Sequence, residues 1–182
     1  MNKVYVFLAE GFEEIEALTV VDILRRGGIE CQTVSVTDTL QVTSSHHVTV
    51  TADVMFDQIQ DDADMLVLPG GMPGTIHLGE HQGLCDMLKR QAAADRWVAA
   101  VCAAPTVLGH LGLLDEKQAT CFPGKMDELI CKEKKTDAVV TDGKVITSRG
   151  MGTCIAFGLE MLRVLAGQEM ADKIGKAIVY LK

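Results

Sequence analysis

Three short stretches of this chain are apolar from end to end: Val4-Tyr5-Val6-Phe7-Leu8, Met65-Leu66-Val67-Leu68 and Val98-Ala99-Ala100-Val101. Each has the length of a strand, and none alternates polar with apolar residues as a strand with one wet face would. A strand that is apolar on both sides must be covered on both sides. Helices layered above and below a parallel sheet achieve this. Helical patterns lie where that arrangement needs them. One is predicted over Glu13–Arg26, stopped by Gly27-Gly28, others over Leu84–Ala94 and Pro105–Leu114, and a last pair over Thr153–Leu165, ending at Gly167, and Gln168–Ala177. Further strands are expected at Cys31–Val36 and, half exposed, at Val48–Ala52, with a hairpin at Val139–Thr147 turning on Asp142-Gly143. The alternation predicts a doubly wound α/β sandwich, mostly parallel, with helices on both faces. No repeat, linker or low-complexity tract interrupts it, so residues 1–182 are expected to form a single domain.

Composition narrows the function classes. Seventeen basic residues against twenty-five acidic ones give a net charge of −8, the wrong sign for a nucleic-acid footprint. No apolar run reaches the roughly 18 residues of a membrane span. The chain starts Met1-Asn2-Lys3-Val4-Tyr5, directly into a strand pattern rather than a secretory leader, and a cytoplasmic location is expected. The six cysteines (Cys31, Cys85, Cys102, Cys121, Cys131, Cys154) are scattered, with no C-x-x-C pair or metal-type spacing. Reduced thiols, mostly small buried hydrophobes, are the expectation, with no metal site.

In a doubly wound fold, ligands bind beyond the carboxyl ends of the strands. Three segments leave strand ends there: Ala9–Glu16, Pro69–Gly74 and Cys102–Pro105. Cys102 stands where an apolar strand turns into a helix, flanked by the small Ala103 and Ala104, with Pro105 suited to a first helical turn. Free N–H groups and the helix dipole at such a junction are expected to acidify the thiol. The alternative is a structural cysteine at a strand end. Glu16 falls on the same helical face as Val20 and Ile23, opposite Asp22 and Arg26. A carboxylate turned toward a core gains a partner or a proton, whereas a glutamate bending out to solvent would do neither. Gly70-Gly71 offers unobstructed backbone N–H groups of the kind that hold an oxyanion, although two glycines after a strand are also simply a turn. Neither a G-x-G-x-x-G nor a Walker loop is present, so no nucleotide or flavin cofactor is called for. Of the histidines, only His77, just after the glycine loop, is placed to reach such a site. His46 and His47 are expected at a surface or interface, and His81 and His110 on helix surfaces.

Taken together, Ala9-Glu10-Gly11-Phe12-Glu13-Glu14-Ile15-Glu16, Leu68-Pro69-Gly70-Gly71, Ala100-Val101-Cys102-Ala103-Ala104-Pro105 and Ser148-Arg149-Gly150-Met151-Gly152-Thr153 resemble the ThiJ/PfpI superfamily, in its DJ-1/YajL-like branch. The resemblance runs in order from Val4 to Lys182. It implies a flavodoxin-like sandwich, a homodimer and no cofactor. It implies that Cys102 is the nucleophile and oxidation-sensitive thiol, Glu16 a protonated glutamate beside it, and Gly71 and Ala103 the backbone donors. The activities it implies are glyoxalase III conversion of methylglyoxal, deglycase removal of early glyoxal adducts, protection against oxidative stress, and chaperone activity. Two departures stand out. Phe122, in Thr120-Cys121-Phe122-Pro123, occupies the place of a histidine near the cysteine of human-like members, which argues for slow turnover. Ala103 replaces the histidine that follows the nucleophile in the protease-like members, so peptidase activity is not expected. An arginine of the partner subunit that lines the anion site is replaced near His46, while Arg26 keeps the other basic position. The leading expectation is an enzyme acting on a small 2-oxoaldehyde or glycated substrate, and the alternative a peroxide-sensing chaperone.

Overall fold

The structure is a computed structural model describing residues 2–180. Met1 and Lys182, where two of the sequence readings begin and end, lie outside the described residues. In chain order the elements are β1 (Lys3–Leu8), α1 (Glu14–Arg26), β2 (Glu30–Ser35), β3 (Gln41–Thr43), β4 (Thr49–Thr51), β5 (Val54–Met55) and β6 (Met65–Leu68). There follow α2 (Gly74–Glu80), α3 (Gln82–Ala93), β7 (Trp97–Val101), α4 (Pro105–His110), β8 (Gln118–Ala119) and β9 (Glu133–Lys134). The chain closes with β10 (Val139–Asp142), β11 (Val145–Ser148), α5 (Cys154–Ala166) and α6 (Gln168–Ala177).

Seven strands form one sheet in the order β10-β11-β7-β6-β1-β2-β5, all parallel except β10. The apolar runs explain their own positions. Along β1, Val4, Val6 and Leu8 enter the core beneath α1 and α5, while Tyr5 and Phe7 enter the core beneath α2, α3 and α4. The mostly parallel sheet flanked by helices on both faces is the flavodoxin-like sandwich expected from the sequence. Strand order reverses at β1, with β2 on one side and β6 on the other. A crevice therefore opens at the carboxyl ends of β1 and β6, and β7 ends beside it.

Three local expectations need correction. The Val48–Ala52 stretch does supply a strand, but β4 pairs antiparallel with β3 in a separate two-stranded ribbon and not with the main sheet. The helix expected to Leu114 stops at His110. Gly109 lets the backbone of Ile130 come so close that a Cβ would lie 2.6 Å from its carbonyl oxygen, and Gly112 then turns into the left-handed region (φ +76°). The hairpin turns on Gly143-Lys144, one residue later than expected, because Asp142 pairs with Val145. Only Gly143 of the two has positive φ, at +58°, the requirement of a II′ rather than a I′ turn.

Candidate functional site

Helix α1 begins at the mouth of the crevice. Glu13 caps it, its Oε2 accepting the Glu16 N–H at 2.7 Å. Starting there, the helix buries Glu16, Val20 and Ile23 together and leaves Asp22 and Arg26 exposed, as its periodicity predicts. Glu16 is 1% exposed. Its Oε2 accepts the Gly70 N–H at 2.9 Å, and the Met151 N–H is also turned toward the carboxylate. Burial outweighs these donors and raises its pKa from 4.5 to about 7.

Cys102 sits across from this carboxyl in a left-handed conformation, φ +63°, uncommon for a residue with a side chain. Its N–H donates to Ser148 O on β11 at 3.1 Å, and its carbonyl accepts from Phe122 N at 2.7 Å. Both peptide groups are thus anchored, and the side chain is aimed off the end of the sheet, partly open to solvent. The backbone N–H groups of Gly71 and Ala103 face the sulfur. Glycine at 70 is a steric requirement, since a Cβ there would lie 2.6 Å from both Cys102 Cβ and Glu16 Oε2. Glycine at 71 is both steric and conformational, with φ +92° and only 2.4 Å between an added Cβ and Glu13 N.

The expected acidified thiol needs correction. Burial, then the charge and hydrogen bond of Glu16, push the Cys102 thiol up to about 12, against the opposing pull of the Ala103 and Gly71 N–H groups. The reason is geometric. Helix α4 has six residues and starts at Pro105, three positions past the sulfur and without an N–H of its own, so little dipole reaches Cys102. Burial thus favours a proton on each of the two facing groups, Glu16 and Cys102. With a proton on Glu16 the opposing carboxylate charge is removed, and the two N–H donors remain to stabilise sulfur.

The structure brings Cys102, Glu16, Gly70, Gly71 and Ala103 together. His46 stands at the rim, exposed, its Nδ1 3.2 Å from Glu14 Oε2. Arg26 is not at the site within this chain. It lies at the far end of α1, about 15 Å along the axis from Glu16 at 1.5 Å per residue, paired with Asp22 at 2.6 Å. His77 is directed away, its Nδ1 2.8 Å from Glu10 O. His81 caps α3, accepting from Leu84 N at 3.0 Å, and His110 is exposed. Phe122 is 47% exposed, with its ring beside Gly150. Two contributors escaped sequence reasoning. Glu13, read as an ordinary acidic first-turn residue, is the buried cap, and Met151 holds Glu16 through its backbone, which no side-chain chemistry could signal. Glu13, Glu14 and His46 place donor atoms within 4.8 Å of one another. The capping bond of Glu13 and the pairing of Glu14 with His46 account for that grouping. All six cysteines are free.

A cysteine on a strained strand-to-helix turn, with a buried glutamate beside it, defines a class of α/β proteins, and comparison places the chain within it. The sequence profile of the DJ-1/PfpI family matches residues 2–164, and the chain belongs to that family. It is 37% identical over 181 residues to Protein DJ-1 homolog B of Arabidopsis thaliana, covering 98% of this chain but 41% of that protein, so the chain spans less than half that relative's length. It is 31% identical over 176 residues to the Glutathione-independent glyoxalase DJR-1.2 of Caenorhabditis elegans, covering 95% of this chain and 93% of that one. A solved structure of oxidized DJ-1 from Toxoplasma gondii superposes with a TM-score of 0.97 at 36% identity, each chain covered in full.

Proposed function

We propose that this chain is a cysteine-dependent enzyme of glyoxalase type that converts methylglyoxal or a related 2-oxoaldehyde to the hydroxy acid without a cofactor. The observation that carries the reading is Cys102, in a left-handed turn (φ +63°), with its sulfur beside the buried Glu16 carboxyl and the N–H groups of Gly71 and Ala103. As the sulfur adds to the aldehyde carbon, Glu16 delivers its proton to the carbonyl oxygen, giving a hemithioacetal. The N–H groups of Gly71 and Ala103, which face the sulfur, would hold that oxygen as it gains charge. Glu16, now ionised, removes the C1 proton to form an enediol and returns it to C2. The result is a thioester of the 2-hydroxy acid. Water cleaves the thioester, releasing the acid and restoring the thiol. C1 is oxidised and C2 reduced within one molecule, so no external redox partner is consumed. The glyoxalase name of the Caenorhabditis relative supports the reading. Early glyoxal adducts of proteins are included as deglycase substrates: the sulfur takes the same carbon as the protein's amine or thiol leaves with a proton from Glu16, giving the same hemithioacetal. Assay of methylglyoxal consumption by purified protein and by its Cys102→Ser variant tests it. Turnover undiminished in the variant overturns it.

A second reading is favoured by Phe122. No histidine stands over the sulfur to assist turnover, while the thiol stays open to peroxide. Oxidation to sulfinate, with Glu16 and the two N–H groups as partners, would make the chain a stress sensor with chaperone activity in a cytoplasmic setting. The oxidized state of the Toxoplasma structure supports this chemistry. Peroxide followed by intact-mass analysis should add two oxygens at Cys102 before any other cysteine. A homodimer is also proposed, since Ile15 and Leu18 of α1 and Ile155 of α5 are exposed large apolar residues and a second copy would cover them. Light scattering at micromolar concentration gives twice the chain mass if this holds.

A further inference from the structure

A cleft of about 250 Å³ opens between α2 and α4 on the face opposite α1, and the proposed chemistry leaves it unused. Its walls are Met72, Ile76, Val107 and Leu111, with Gly79 leaving one side bare. His110 and the Lys125–Glu128 ion pair, 2.8 Å apart, form the polar rim. The cleft joins the site at two points. Ala103, which lines it, carries one of the N–H groups facing the Cys102 sulfur, and Met72, which also lines it, directly follows Gly71, which carries the other. A carbonyl oxygen held by those donors therefore lies beside residues of the cleft wall or their chain neighbours, consecutive Cα atoms being ~3.8 Å apart.

We infer that this cleft receives the non-reacting substituent of the substrate, and that the chain favours 2-oxoaldehydes bearing an aryl or branched alkyl group over methylglyoxal. The inference rests on the glyoxalase reading for the reaction but not for the pocket. Volume and lining both favour it. A dry cavity of about 150 Å³ lined by aliphatic side chains accepts benzene. This cleft exceeds that volume, and its aliphatic wall of Met72, Ile76, Val107 and Leu111 is interrupted by Thr75 and Thr106. A methyl group would leave most of it empty, whereas a phenyl ring attached to the dicarbonyl would exchange water for Ile76, Val107 and Leu111. The ring carries no charge, consistent with charged groups being confined to the rim.

Gly79 is the position at which to block the cleft. It is exposed on α2, and a Cβ there would lie 3.5 Å from Val107 Cγ2, an ordinary contact, so Gly79→Leu places its side chain in the cleft without displacing backbone. Two pairs of probes read the result. Phenylglyoxal and methylglyoxal are compared by kcat/KM, and N-benzyl iodoacetamide and iodoacetamide by the rate of Cys102 alkylation in intact-mass spectra. The expected result is that the wild-type chain prefers the aromatic member of each pair by about tenfold or more, and that Gly79→Leu abolishes the preference while methylglyoxal and iodoacetamide change by less than about twofold. A wild-type chain without the preference, or a folded Gly79→Leu chain that retains it, overturns the inference. Should the leucine variant fail to fold, Gly79→Ala replaces it, with a reduced preference expected and an unchanged one overturning. Absence of turnover on both glyoxals, with the alkylation preference intact and lost in the variant, would overturn the glyoxalase reading and leave the pocket standing.

Discussion

Cys102 and Cys154 stand on two consecutive strand-to-helix connections, Cys102 directly after β7 and Cys154 at the far end of the link from β11 to α5, and both feel the charge of Glu16. Their backbones treat them differently. Cys102 has φ +63° and two N–H groups facing its sulfur. Cys154 opens α5 in helical geometry (φ −64°), is 1% exposed, and its thiol donates to Gly150 O at 3.3 Å. Burial raises the pKa of both thiols. A sulfur facing donors can carry charge during a reaction, and a sulfur facing an acceptor is held as a neutral thiol. Nearness to the glutamate therefore does not distinguish a nucleophile from a packing residue. The polarity of the surrounding backbone does.

The contrast breaks most sharply in the serine variants. Cys102→Ser should lose methylglyoxal turnover by roughly 10³-fold or more, while Cys154→Ser, whose hydroxyl can still donate to Gly150 O, should stay within about twofold. Equal losses would end the distinction. Glu16→Gln should lower kcat/KM by about 10²-fold and remove the rising limb near pH 7 from the rate profile. The same variant tests burial of the carboxyl. Because Glu16 holds its proton more tightly folded (about 7) than at its ordinary 4.5, its contribution to stability is complete below pH 4.5 and is lost as pH rises to about 7. Denaturant melts of the wild type should therefore weaken across that window by an amount on the order of 3 kcal/mol, and those of Glu16→Gln should not.

Smaller effects report on the backbone. Cys102→Gly should be more stable than Cys102→Ala by about 1–2 kcal/mol, because glycine occupies the left-handed region without strain. Cys154→Gly should instead be less stable than Cys154→Ala by about 0.5–1 kcal/mol, since that site is helical. Thermal melts of the four variants decide whether strain is confined to the elbow. On the wall of the α2–α4 cleft, Thr75 has a buried hydroxyl without a partner among the described residues, so Thr75→Val should be neutral or stabilise by up to about 1 kcal/mol in the same assay.

Much of this was legible before folding was considered. The apolar runs of β1, β6 and β7 announce a two-sided sheet, and the spacing of Glu16, Val20 and Ile23 turns the carboxyl inward, because both patterns depend only on local periodicity. The strand-to-helix junction at Cys102 could be read from Val101-Cys102-Ala103-Ala104-Pro105. The acidity of the thiol could not. It depends on Glu16, eighty-six positions away, and on a helix whose end is set by packing against Ile130. Arg26 illustrates the same limit, for within one chain ten residues of helix separate it from Glu16, and only a second copy could bring such a residue to the site.

Residue order alone settled the layered α/β architecture, the place of the elbow and the inward face of α1, since each follows from which side chains can leave water along a regular backbone. The tertiary structure was needed to set Glu16 against Cys102, to bring Gly70, Gly71 and Met151 N–H groups around them, and to leave a cleft behind Ala103. Those features are distances between atoms far apart in the chain, and close packing of the two cores against the sheet fixes them.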